Sequence, residues 1–364
     1  MSVAVVVGTR PEIIKMAPVI KELEKRGVEY LFVHTGQHYD YEMSTVFIEE
    51  LGLPKPHIGF ELGNSNPAAQ IGEMMVKLEN AIRSRGRPPK IVLIQGDTNS
   101  MLATGLTALK MGIQLGHVEA GLRSYDWRMP EEHNRRMIDH VSNYLFAPTE
   151  IARRNLIQEN VWGEIHVTGN TVIDAVDMYF DRVENAEQKV LENVPFDEYA
   201  LVTFHRAENV DNVDTLRNFV RILQRSPIPI VFPIHPRTRK RLEEHGLLGA
   251  VEELKHIKLM QPLGYFEFLA LMRRCRVVLT DSGGLQEEAT HPRIRKFVLV
   301  LRESTERPEA VLAGFARVVS VNPVVVLAEL EKVLSEEVKL PDKSPFGNGQ
   351  ATKRIVDVIL NKLA

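Results

Sequence analysis

The chain has 364 residues, 44% of them hydrophobic and 26% charged, with a formal net charge of −3 and a single cysteine, Cys275. That length exceeds one ordinary core and points to two domains. The slightly negative charge excludes a global basic field for nucleic acid, no apolar run reaches the ~20 residues of a membrane span, and a lone cysteine without an internal partner fits a reducing cytosol.

In chain order, the apolar run 3–7 is a predicted strand; it lacks the basic start and cleavage region of a signal peptide. Helix 11–26 follows, with Ile13, Ala17, Ile20 and Leu23 on one face, then strand 29–34 and helix 66–85. Strand 91–94, helix 99–111, strand 113–118, helix 131–141 and strand 144–147 complete a first set. A second set follows Thr168-Gly169-Asn170, with strands at 200–203, 230–233, 257–260, 276–280 and 297–301 and helices between them. The last helix, 350–363, carries Ile355, Val356, Val358, Ile359 and Leu363 as its apolar stripe. Continuous apolar strands alternating with amphipathic helices predict an α/β protein with two doubly wound, Rossmann-like halves. The expected domains are 1–169 and 170–349, and the last helix can pack back on either. Ligands of open α/β sheets bind outside the carboxyl ends of the strands, so the expected site is a cleft between the halves. Neither half contains GxGxxG, the dinucleotide fingerprint.

Candidate site residues follow the predicted strands. Arg10 and Lys15 in GTRPEIIK (8–15) stand at and one turn inside a helix start, where an anion is favoured. Arg-Pro-Glu recurs at 307–309, which places Arg307 at an equivalent corner of the second half. Ser282, Gly283 and Gly284 form a strand-to-helix turn whose free N–H groups suit a phosphate. Three acids follow strands or begin a helix: Asp97, Glu119 and Glu131. Asp97 reads equally as a helix cap, and Glu131 with Glu132 as dipole partners of Arg135 and Arg136. Glu119, at the end of an apolar strand before a glycine loop, reads as a site acid. His205 follows strand 200–203 and suits a phosphate or a leaving oxygen. His34 and His38 lack helical ligand spacing and there is no HExxH, so no metal site is expected. A Walker lysine and a GxSxG elbow are both missing.

Taken in order, GTRPEIIK (8–15), TGQH (35–38), QGDT (95–98), HVEAGLR (117–123), PEEHNR (130–135), TGNTVIDA (168–175), TFHRAEN (203–209), DSGGLQEEA (281–289) and TERPEA (305–310) resemble the non-hydrolysing UDP-N-acetylglucosamine 2-epimerases over nearly the whole chain. The resemblance implies the GT-B fold, with helix 350–364 returning to the first domain, a homodimer, and interconversion of UDP-GlcNAc and UDP-ManNAc. UDP is eliminated to leave 2-acetamidoglucal and then added back, with no cofactor. It implies that Asp97, Glu119, Glu131 and His205 are catalytic. Arg10, Lys15, Phe268, Ser282, Gly283, Gly284, Glu288 and Arg307 would then bind the substrate, with Phe268 by the uracil and Glu288 on the ribose. Gln37 and His38 match part of a second UDP-GlcNAc site. The chain departs from the pattern at Asp40, where a second Gln is usual, in 61–70, which lacks an Arg, and at the basic stretch 291–298. Alternatives within reach of the same residues are a UDP-diacetamido-uronic acid 2-epimerase, a hydrolysing epimerase, a GT-B glycosyltransferase and a non-catalytic UDP-sugar sensor.

Overall fold

The computed structural model describes residues 2–37, 47–63, 66–336 and 338–363. They form two compact units, Met1–Met178 with Phe346–Ala364, and Tyr179–Pro345. The division falls inside the helix Thr171–Leu191, where the sequence placed the boundary at 169. That helix is one uninterrupted element, so the change of unit comes two turns past the Gly169 bend.

The first unit is built on seven parallel strands: β1 (Val3–Val7), β2 (Tyr30–His34), β3 (Ile58–Gly59), β4 (Ile91–Gln95), β5 (Gln114–Val118), β6 (Tyr144–Ala147) and β7 (Glu164–Val167). They lie in the order β3-β2-β1-β4-β5-β6-β7. Val3 pairs with Tyr30 on one side and Ile91 on the other, and every residue of β1 is buried. A strand buried on both faces has no use for alternation, which is why β1 reads as an unbroken valine run. Ala4, Val6, Leu31, Val33, Val92 and Ile94 pack with Leu78, Ile82, Met101 and Leu102 of the helices Pro67–Arg83 and Asn99–Lys110.

The second unit repeats the plan with β8 (Ala200–Thr203), β9 (Ile230–Pro233), β10 (Ile257–Met260), β11 (Val277–Thr280), β12 (Val298–Val300) and β13 (Ala316–Val318). Their order is β10-β9-β8-β11-β12-β13, again all parallel. Phe204 and Phe219 stack at 3.9 Å within its own apolar core.

In both sheets the strand order reverses once, between β1 and β4 and between β8 and β11. The loops leaving those neighbouring strands run apart, which opens a crevice at their carboxyl ends. Gly8–Arg10 and Gly96–Asp97 sit there in the first unit, and His205–Arg206 and Asp281–Ser282 in the second. The final helix, Ala351–Leu363, belongs to the first unit. No helix among the described residues is long and apolar enough to cross a membrane.

Candidate active site

The corner after β1 is closed by a residue that sequence reasoning passed over. Glu12, on the first turn of the helix Arg10–Lys25, is 2% exposed. Its carboxylate accepts the backbone N–H of Gly8 at 2.6 Å and of Thr9 at 2.9 Å. Its other oxygen accepts the Thr98 hydroxyl at 2.5 Å, which ties the β1 corner to the β4 corner. Burial pushes Glu12 up to about 7, with the three hydrogen bonds pulling the other way. Gly8 is required by close approach: a Cβ there would run into the Ser100 and Thr35 hydroxyls, which bond each other at 2.7 Å. Arg10 is exposed, with its guanidinium 4.6 Å above the Phe47 ring.

Glu119 follows β5 directly. It is 7% exposed and holds φ at +72°, a left-handed conformation that costs a non-glycine residue roughly 1 kcal/mol or more. The surroundings enforce it. The backbone N–H groups of Glu119 and Ala120 both donate to the Phe146 carbonyl at 3.1 and 3.2 Å. The Glu119 carboxylate pairs with the buried Lys15 ammonium and accepts from Asn170 Nδ2 at 3.0 Å. Lys15 and Glu119, 104 positions apart in sequence, thus form one charge pair.

Asp97 is not the cap of the next helix; Thr98 holds that position. The Asp97 carboxylate instead pairs with Arg135 at 2.6 Å, and its carbonyl accepts from Asn134 at 2.9 Å. Both partners lie on the helix Pro130–Val141. Glu131 sits half-buried in the first turn of that helix. Glu132 makes the pairing expected one turn along, meeting Arg136 at 3.2 Å, and also meets Arg135 at 2.8 Å.

In the second unit Asp281, fully buried after β11, organises the β8 loop. It accepts the N–H of His205 at 3.0 Å and of Arg206 at 2.9 Å, and lies 3.3 Å from His205 Nδ1. Burial lowers the His205 imidazole below its usual range, while Asp281 pulls upward. Ser282 stands at the N-cap position of the short helix Gly283–Glu288 without a side-chain capping bond, and its own N–H donates to the Thr280 hydroxyl at 2.9 Å. A Cβ on Gly283 would collide with the Glu306 carboxylate. Arg307 is 5% exposed and donates through Nε to Glu287 at 2.5 Å. Glu288 is buried beside Glu287, and Phe268 is half-buried on the helix Tyr265–Arg274.

Gln37, matched to a second sugar-nucleotide site, spends its side-chain oxygen on the N–H and hydroxyl of Ser100, at 2.9 and 2.7 Å. His38 and Asp40 lie outside the described residues. Among the described residues no three His, Cys, Asp or Glu side chains converge as a metal site.

Sequence reasoning therefore missed Glu12, Arg135, Asn170, Asp281 and Glu287. All but Asn170 stand within five residues of a residue it did select, and Asn170 lies in the TGNTVIDA string at 168–175, so the motif rather than the strand end was the usable signal.

These two clusters have close relatives. A family model described as UDP-N-acetylglucosamine 2-epimerase matches residues 21–360. A UDP-N-acetylglucosamine 2-epimerase of Methanocaldococcus jannaschii is 42% identical over 367 residues, covering 99% of both chains. A UDP-2,3-diacetamido-2,3-dideoxy-D-glucuronate 2-epimerase of Pseudomonas aeruginosa is 35% identical over 366 residues, with 99% of both chains covered. A crystal structure of the M. jannaschii UDP-GlcNAc 2-epimerase in complex with UDP-GlcNAc and UDP matches with a TM-score of 0.90 at 41% identity, over 99% of this chain and 100% of that one. Two parallel-sheet α/β units as in the GT-B fold, acids at the strand ends of the first and full-length similarity leave one assignment: the chain belongs to the UDP-N-acetylglucosamine 2-epimerase family.

Proposed function

We infer that this chain interconverts UDP-N-acetylglucosamine and UDP-N-acetylmannosamine by eliminating UDP across C1–C2 and adding it back at C1, with a proton returned to the opposite face of C2. The observation that carries the reading is the strained, buried Glu119 carboxylate, paired with Lys15 beside the Asp97 strand end. A left-handed glutamate enforced from three sides is a placement that stability alone does not favour.

The C2 hydrogen has no adjacent carbonyl, so removing it requires departure of a good leaving group. One carboxylate of Asp97, Glu119 and Glu131 takes the C2 proton. The C–H electron pair becomes the C1=C2 bond of 2-acetamidoglucal, and the C1–O pair leaves with UDP. Readdition reverses these steps, and an acid delivers a proton to the other face. Arg10, Lys15, His205, Arg307 and the Ser282–Gly284 amides stabilise the charge that grows on the diphosphate. Charge-assisted hydrogen bonds contribute roughly 1.5–3 kcal/mol each, so several reach the lower part of the ~8–23 kcal/mol that enzymes supply. Glu288 takes the ribose hydroxyls and Phe268 lies by the uracil. The residues provide acid, base and anion binding, and the reaction is redox-neutral, so no cofactor is needed. Family resemblance supports a homodimer as the active form, and a single cysteine, which has no partner for a disulfide within the chain, supports a cytosolic setting.

Incubation with UDP-GlcNAc in deuterated water should place deuterium at C2 and yield UDP-ManNAc with no added cofactor. Absence of incorporation overturns the reading. The Pseudomonas relative supports a second substrate, a UDP-diacetamido-uronic acid; running both sugars in the same assay separates them.

A further inference from the structure

A ring of alternating charge runs through the first unit and begins and ends at the loop that carries Asp97. His117 Nε2 lies 2.9 Å from the Gly96 carbonyl, and its Nδ1 lies 2.7 Å from Asp139. Asp139 meets Arg123 at 2.8 Å, Arg123 meets Glu159 at 2.6 Å, and Glu159 meets Arg136 at 2.6 Å. Arg136 meets Glu132 at 3.2 Å, Glu132 meets Arg135 at 2.8 Å, and Arg135 returns to Asp97 at 2.6 Å. Asp139 also accepts the Gly121 N–H at 3.2 Å, two residues past Glu119. The ring thus grips both strand-end loops, one at Gly96–Asp97 and the other at Gly121. The helix Pro130–Val141 supplies four of its members, spaced at successive turns.

We propose that this ring is the positioning device of the C2 proton transfer, and that His117 and Asp139 are the positioning residues that aim Asp97 and Glu119. The inference rests on the epimerase reading above. Its chemistry follows from the partners. The two nitrogens of His117 face a carbonyl and a carboxylate. From Asp139 to Asp97 four acids alternate with three arginines. Asp139, Arg123, Glu132 and Arg135 are buried, and a buried charge that loses its partner is uncompensated. Removing one member is therefore relieved by movement of the loops. Displacement of a reacting group by ~1 Å costs on the order of 100-fold in rate. The nucleotide contacts proposed in the second unit lie outside the ring, so binding and turnover should separate.

The test uses His117→Gln and Asp139→Asn in the full chain. Steady-state kinetics should show kcat for epimerisation down on the order of 30–100-fold, with C2 exchange falling in step, while KM and the Kd for UDP stay within about threefold. The double variant should lose no more than the worse single, because the two act as one unit. A kcat held within about threefold, or UDP affinity falling as far as kcat, overturns the proposal. If either variant fails to fold, Glu159→Gln, a half-buried member of the same ring, decides: kcat down about tenfold or more with UDP affinity kept within about threefold is expected, and an unchanged kcat overturns the proposal. A wild-type chain that exchanges no C2 deuterium would instead defeat the epimerase reading on which the proposal rests.

Discussion

Glu119 shows how a single residue can be legible by type and opaque by conformation. An acid closing an apolar strand before Ala-Gly is visible in sequence, and the structure places it there. What sequence could not show is its backbone at φ +72° or its partner Lys15, contributed by a helix more than 100 positions earlier. Long-range pairs of this kind depend on strand order, which no local pattern encodes. The same holds for Asp97, whose partner Arg135 comes from a later helix. The functional consequence of Glu119 is open to direct test. Glu119→Gln retains the size and one acceptor oxygen, so Asn170 can still donate, but it cannot take a proton. We expect C2 exchange to fall by 100-fold or more, on the order of what positioned acid–base groups contribute, with UDP affinity within about threefold. Deuterium incorporation followed by NMR, beside UDP calorimetry, measures both. Parallel loss would assign Glu119 to structure instead of chemistry.

At the scale of elements, the buried strands were readable because each is a run of β-branched or apolar residues: β1, β6, β8 and β9 carry the limits expected from sequence, and so does the edge strand β10, of intermediate burial. The strands left out are edge or outer strands. β3 has two residues, β13 three, and β7 has an exposed–intermediate pattern with Glu164 and His166. Their identity comes from the neighbour they pair with, not from their own composition. Glu12 links elements rather than residues, since it fastens the start of one helix to the loop before another. Its carboxyl is pushed from 4.5 to about 7 by burial, so the folded protein binds a proton there more tightly than the unfolded chain does. The stabilisation is complete below the unfolded value of 4.5 and is lost as pH rises through about 7. In the wild type this removes roughly 3 kcal/mol across that window. Glu12→Gln cannot ionise and should hold its stability across the window, so its advantage over wild type grows between pH 4.5 and 7 and then levels off. Urea unfolding at several pH values tests this. Parallel profiles for the two proteins would show that the hydrogen bonds from Gly8, Thr9 and Thr98 outweigh burial.

At the scale of the whole molecule, the order of elements along the chain differs from their grouping in space. The first unit is completed by its last helix, Ala351–Leu363, which the chain reaches only after building the second unit. The attachment is specific. Asp174 accepts the N–H groups of Ala351 and Thr352 at 3.2 and 2.8 Å, which caps the helix start. Arg354 donates to the Thr168 carbonyl at 2.7 Å, Asp357 pairs with Arg26 at 2.5 Å, and Lys362 with Glu164 at 2.7 Å. Ile355, Val356 and Ile359 are fully buried, and Gly116 on β5 leaves the space that the Ile359 side chain approaches. Sequence displayed the apolar stripe but not the surface that receives it, because a stripe states only that something covers it. Each unit has its own core, so damage to this contact should register in the first. Ile359→Ala removes a fully buried side chain and should cost about 2–5 kcal/mol. Hydrogen exchange by mass spectrometry should show the loss in β1, β4 and β5, with the amides of β8 and β11 keeping their protection. Equal loss across both sheets would mean that the two units unfold as one, and the late helix would then serve the stability of the whole chain.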